Sequence, residues 1–120
     1  YFGPIHWHMT VHSDCDDTAF FIRVSFVEEG VSYNLTQGIT SLSYICPDCR
    51  AGSPVTIDLD TTPISFTLKK GNRIRVDISS HSDIFAPHAN VKAHWAEVRN
   101  CRIANNALHL KNAYIALPLK

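Results

Sequence analysis

Leu68-Lys69-Lys70-Gly71-Asn72-Arg73-Ile74-Arg75-Val76-Asp77-Ile78-Ser79-Ser80 decides the fold class. Ile74, Val76 and Ile78 alternate with Arg73, Arg75 and Asp77, the two-residue period of a strand with one buried face. Lys70-Gly71-Asn72 is turn chemistry directly before that strand. The same period recurs upstream. Ile5, Trp7, Met9 and Val11 alternate with His6, His8, Thr10 and His12, and Phe20, Ile22, Val24 and Phe26 alternate with Phe21, Arg23, Ser25 and Val27. Glu28-Glu29-Gly30 reads as a short hairpin turn. Alternation therefore puts Ile74, Val76 and Ile78 in one core with Trp7, Met9, Phe20, Ile22, Val24 and Phe26, since a one-residue slip would expose the whole set.

Further strands are predicted near residues 31–36, 39–45, 54–59, 64–68, 72–79, 103–110 and 112–117, punctuated by Pro47, Gly52, Pro63, Gly71 and Pro87. Residues 91–99 are ambiguous: Val91, Trp95 and Val98 fit one helical face, while Lys92, His94 and Ala96 also fit a strand edge. They are read as an irregular loop with at most one helical turn. The pattern is that of an all-β chain folded as a two-sheet sandwich. A length of 120 residues suits a single domain, residues 1–120, able to bury roughly two-thirds of its unfolded surface. The 11 basic and 11 acidic residues balance, so charge favours neither nucleic acid nor an anionic membrane as a partner. No apolar run approaches the ~20 residues of a spanning helix. The first residue is Tyr1 rather than methionine, which leads us to expect a domain cut from a larger protein.

Four segments share a family likeness in order and spacing. They are Leu68 to Ser80; Gly3-Pro4-Ile5 with Val11-His12-Ser13-Asp14-Cys15-Asp16-Asp17-Thr18-Ala19-Phe20; Glu28-Glu29-Gly30-Val31-Ser32-Tyr33-Asn34-Leu35-Thr36-Gln37-Gly38-Ile39; and Ala104-Asn105-Asn106-Ala107-Leu108-His109 through Ile115-Ala116-Leu117-Pro118-Leu119. Together they resemble the C-terminal β-domain of the X-Pro dipeptidyl-peptidase and cocaine esterase family of serine hydrolases, acyl esterases among them. The likeness spans nearly the whole chain. Ala19, Ser25 and Ser41 stand where that family commonly carries charged residues, and its Phe-Pro-Arg-Phe run after the double serine is absent.

The resemblance implies a jelly roll of the galactose-binding-like kind and an accessory role without cofactor. It also implies an α/β-hydrolase domain of the same parent chain as partner, with this domain helping to wall the substrate pocket in the bacterial cytoplasm rather than outside the cell. The segment after the double serine would reach the interdomain contact or the pocket lip, which assigns His81, Asp83, Ile84, Phe85, Pro87 and His88 to that role. The same fold class hosts lectins, so a carbohydrate-binding module is the alternative, for which Trp95 with Asn90 and His94 is the suggestive group. A purely structural or oligomerising domain is the third reading.

Chemistry is sparse. An α/β-hydrolase nucleophile sits in a Gly-x-Ser-x-Gly elbow beside oxyanion-hole amides, and that pattern is absent from the sequence. The family's serine, aspartate and histidine belong to its hydrolase domain, so none of the seven histidines carries over as catalytic and this chain alone is not expected to be an enzyme. Ser80 and His81 are neighbours in sequence, but adjacent strand residues point to opposite faces.

Cys46-Pro47-Asp48-Cys49 would be half of a zinc site, with neither Cys15 nor Cys101 offering a second paired spacing. A thioredoxin-like role would need the pair to open a helix. The cysteines are therefore expected as mostly free thiols, Cys46 and Cys49 being the readiest to oxidise. His6, His8 and His12 share one strand face and could in principle share a metal, yet they read as a polar sheet face, and no metal is expected. Asn34-Leu35-Thr36 is a formal glycosylation sequon inside a predicted strand.

Overall fold

The computed structural model describes residues 2–15, 17–80 and 104–118. Its elements in chain order are β1 (Phe2–Gly3), β2 (His6–Ser13), β3 (Ala19–Glu28), β4 (Val31–Ser41), α1 (Leu42–Ile45), β5 (Val55–Asp60), β6 (Ile64–Ser65), β7 (Arg73–Ser79) and β8 (Asn106–Ala116). β5-β2-β8 and β4-β3-β7 form two three-stranded antiparallel sheets, and β1 pairs with β6. The alternating apolar residues of β2 and β3 face each other across the sandwich. Ile5, Trp7, Met9 and Val11 on one side and Phe20, Ile22 and Val24 on the other join Leu42, Val55 and Ile57 in one buried cluster. The all-β reading holds.

Local chemistry explains how consecutive strands meet. Glu29 and Gly30 both have positive φ, 51° and 78°, and Glu28 pairs directly with Val31. That is a two-residue loop of the type I′ kind, whose twist matches the strands it joins. Asn72 N–H donates to the Lys69 carbonyl at 3.0 Å, with Gly71 at φ 91° in the third position, the pattern of a type II turn. Gly38 has a different task. A Cβ there would lie 3.1 Å from Ile22 Cγ2 and 3.4 Å from Leu59 Cδ1, so its bare backbone lets β4 of one sheet sit close to β5 of the other.

Several expected boundaries move. Residues 31–36 and 39–45 were read as two strands, but β4 is continuous to Ser41 and residues 42–45 form α1 instead. The Ser41 hydroxyl caps this turn by accepting from Tyr44 N–H, and buried Asp17 accepts from both Ser43 N–H at 2.9 Å and Ser43 Oγ–H at 2.6 Å. Those bonds outweigh a strand preference over so short a run. Likewise β8 is one strand where two were expected. Its register against β2 slips between Thr10↔His109 and His8↔Tyr114, and Asn112 there takes φ 68°, so residues between the two pairings bulge without ending the ladder. The expected strand at 64–68 shrinks to Ile64–Ser65. Residues 91–99 lie outside the described residues. No helix among the described residues is long and apolar enough to cross a membrane.

The core assignment needs two corrections, since neither Phe26 nor Val76 joins the buried cluster. Ile74 and Ile78 pack against the cluster, and Phe26 is half-buried with its ring stacked 4.9 Å from Tyr33, but Val76 is 38% exposed. It faces inward as alternation requires, pairing with buried Val24. However, β7 is the edge of its sheet as described and lies beside an apolar cleft of about 310 Å³, which Val76 lines with Trp7, Met9, Ile78, Leu110 and Ile115. The outward residues Ala19 and Ser25 are the reverse case, since both are buried and a charged side chain at either place would lose its water.

These positions should separate in stability measurements. Ile22→Ala, at 1% exposure, should cost about 2–5 kcal/mol. Val76→Ala should cost about 1 kcal/mol or less, because neighbouring water already reaches the site. Denaturant unfolding of the two variants checks the difference, and equal losses would place Val76 in the closed core after all.

Candidate functional site

The outer face of β5-β2-β8 carries the densest polar chemistry among the described residues. Because β2 alternates, burying Trp7, Met9, Val11 and Ser13 forces His6, His8, Thr10 and His12 onto the opposite face, where all four are half-buried. Each meets a cross-strand partner. His6 pairs in register with Asp60, and its Nδ1 lies 2.6 Å from Asp60 Oδ1 while its Nε2 contacts Asp58 Oδ1. His8 is opposite Asp58, with Nδ1 3.4 Å from Oδ1, and on its other side its ring stacks on Tyr114 at 4.9 Å. The hydroxyls of Thr10 and Thr56 meet at 3.0 Å. His12 Nδ1 and His109 Nε2 are 2.9 Å apart, so one ring donates its N–H to the other.

Electrostatics follow from these contacts. The hydrogen bond to Asp60, then that to Asp58, stabilises the charged imidazolium and raises His6 above the usual 6.5. His6 first and His8 second hold Asp58 below the usual 3.8. Among the described residues these imidazoles contact carboxylates, one another and a tyrosine ring. Among the described residues no group of three His, Cys, Asp or Glu side chains is arranged to hold a metal ion. Sequence reasoning placed the histidines on one face but missed their carboxylates. Thr56, Asp58 and Asp60 alternate with Val55, Ile57 and Leu59, which signals one polar strand face, but which strand lies alongside is not written locally.

The assigned interdomain residues His81, Asp83, Ile84, Phe85, Pro87 and His88 lie outside the described residues, as do Asn90, His94 and Trp95 of the carbohydrate alternative and Cys101. Two apolar hollows do fall within them. One is the cleft beside Val76; Trp7, part of its wall, keeps a buried indole N–H without a hydrogen-bond partner among the described residues. The second, about 270 Å³, is lined by Ala19, Ile39, Thr40, Ser41 and the 84%-exposed Tyr44.

The cysteines depart from expectation. Cys46 and Cys49 form a disulfide, while Cys15 is a buried thiol. Cys46 ends α1 and Cys49 N–H donates to the Cys46 carbonyl, a tight turn that brings the Cα atoms to 5.4 Å, within bonding range. Alkylation of unfolded protein before and after reduction should therefore differ by two labels, both on the peptide spanning Cys46 and Cys49. Full labelling without reductant would contradict the bridge.

Comparison with curated proteins and with solved structures gave no match. The family profile described as the X-Pro dipeptidyl-peptidase C-terminal non-catalytic domain matches residues 2–114, which runs from β1 into β8 and takes in both sheets. The chain belongs to the family of X-Pro dipeptidyl-peptidase C-terminal non-catalytic domains.

Proposed function

We propose that this chain is the accessory domain of a serine hydrolase, an X-Pro dipeptidyl-peptidase or a related acyl esterase, packed on its α/β-hydrolase domain and helping to wall the substrate pocket. The observation that carries the reading is the family match over residues 2–114. The absence of a Gly-x-Ser-x-Gly elbow from the sequence supports it from the side of chemistry. A galactose-binding-like jelly roll is the closure we assign to the two sheets. Exposed apolar residues such as Tyr44 and Leu110, beside the two hollows, are the kind of surface a neighbouring domain covers.

In this role the domain influences catalysis through shape. A wall beside the acyl-binding pocket selects which substrates reach the nucleophile and orients them, and contacts that tighten in the transition state appear in kcat/KM. For a cytoplasmic parent, the reducing thiol pool would hold Cys46 and Cys49 open, so the compartment decides whether the bridge the fold permits is formed. The segment bearing Ile84 and Phe85 is the part we assign to the interdomain contact.

Two measurements test the proposal. The purified chain should show no saturable hydrolysis of p-nitrophenyl esters or X-Pro amides; turnover abolished by a serine-directed inhibitor would overturn the accessory role. In the intact parent, Phe85→Ala should alter kcat/KM while changing the isolated chain's stability by no more than about 1 kcal/mol. A loss of about 3 kcal/mol in the isolated chain, the scale of a core Phe→Ala change, would show that Phe85 serves this domain's own core.

A further inference from the structure

His6 is flanked by two carboxylates from the neighbouring strand, one at each ring nitrogen. A neutral imidazole has a single N–H and can satisfy one of them; its other nitrogen would then set a lone pair against a carboxylate oxygen. Only the doubly protonated ring donates to both. Both partners lie on β5, which is the edge of its sheet as described and pairs with β2 alone. The imidazolium therefore spans two successive outward positions of an edge strand and ties them to one position of the central strand.

We propose that His6 is a proton-operated clasp holding the edge strand β5 to β2, engaged when the ring carries both protons and loosened when it loses one. The groups facing it are Asp58 and Asp60 from β5, His8 on its own strand and Tyr114 from β8, whose ring centroid is 6.4 Å away. Among the described residues Asp58 and Asp60 pair with imidazoles and with no lysine or arginine. The clasp sits on the face opposite the core. Val55 and Ile57 are buried on that core side, and just past β5 the chain is tied separately, Thr61 N–H donating to the Ile5 carbonyl and Ile5 N–H to the Thr61 hydroxyl.

The sign of the pH dependence follows. His6 is raised above its usual value in the folded protein, so its contribution is complete below about 6.5, the value of an unfolded imidazole, and is lost as pH climbs through the higher folded value. Asp58, held low, sets the acid limit: its share is present above the usual carboxyl value and fades as pH falls through the lowered one. Between those limits the strand is fastened. The cluster is partly solvated, with the His6 side chain 33% exposed, which keeps the effect modest.

Nitrogen-15 NMR of the imidazole side chains together with thermal melting tests the clasp. At pH 6, below the usual imidazole value, the His6 ring should show the signature of two protonated nitrogens. Wild type should melt about 1–4 °C above His6→Gln at pH 6, the scale of an exposed ion pair in a domain of this size, and the gap should narrow as pH climbs above the usual imidazole range. Asp60→Asn should move the His6 titration back towards 6.5 whatever its effect on melting. A neutral His6 ring at pH 6, a melting gap independent of pH, or an Asp60→Asn titration unchanged from wild type would each overturn the proposal.

Discussion

The two central strands must bury their alternating apolar faces against each other, and the rest of the architecture depends on that constraint. Trp7, Met9 and Val11 of β2 with the preceding Ile5, and Phe20, Ile22 and Val24 of β3, are nearly all at or close to zero exposure. Each such side chain contributes roughly 1.5–3 kcal/mol when fully withdrawn from water. Among the described residues no other pair of strands concentrates so much apolar burial. Once β2 and β3 face inward, the outward phase is fixed as well, which is why the histidines form one polar row and why Phe21, Arg23, Ser25 and Val27 share the other outer face.

The connection between those strands has its own logic. Ser13, Asp17 and Thr18 are buried polar residues, and each is matched. Ser13 Oγ meets Thr18 Oγ1 and accepts from Cys15 N–H, the Thr18 carbonyl receives Leu42 N–H, and the Asp17 carboxylate caps α1. Asp14 accepts from both the backbone and side-chain amides of Asn105, just ahead of β8. One short loop thus fastens β2, β3, α1 and the approach to β8. Losing a partner here would strand a buried polar group, costing about 1–3 kcal/mol, which makes the loop a structural knot.

Legibility in the sequence divides along the same lines. Period-two patterns exposed β2, β3 and β7, and turn residues exposed the Glu29-Gly30 hairpin, because both are local signals. The one-turn helix was missed because its cause lies elsewhere in the chain: Asp17 is distant in sequence from Ser43, and a strand-like composition over residues 39–45 carries no trace of it. Val76 was read into the core because alternation reports direction and not depth; how far an inward residue is covered depends on the neighbouring strand. The polar face shows the same limit. Its histidines were visible as a row, but their bond partners Asp58, Asp60, His109 and Tyr114 come from strands whose pairing no local pattern encodes. Family likeness, carried by spacing over most of the chain, supplied the family but none of these long-range contacts.

Native-state hydrogen exchange, read amide by amide, tests the central claim about β2 and β3 most directly. If burial of their facing side chains holds the sandwich together, their amides should exchange last and with a common opening free energy close to that of global unfolding, while β5, β7 and the short β1–β6 pair open earlier. Slowest exchange in β7 or β5, with β2 or β3 opening before them, would contradict the account.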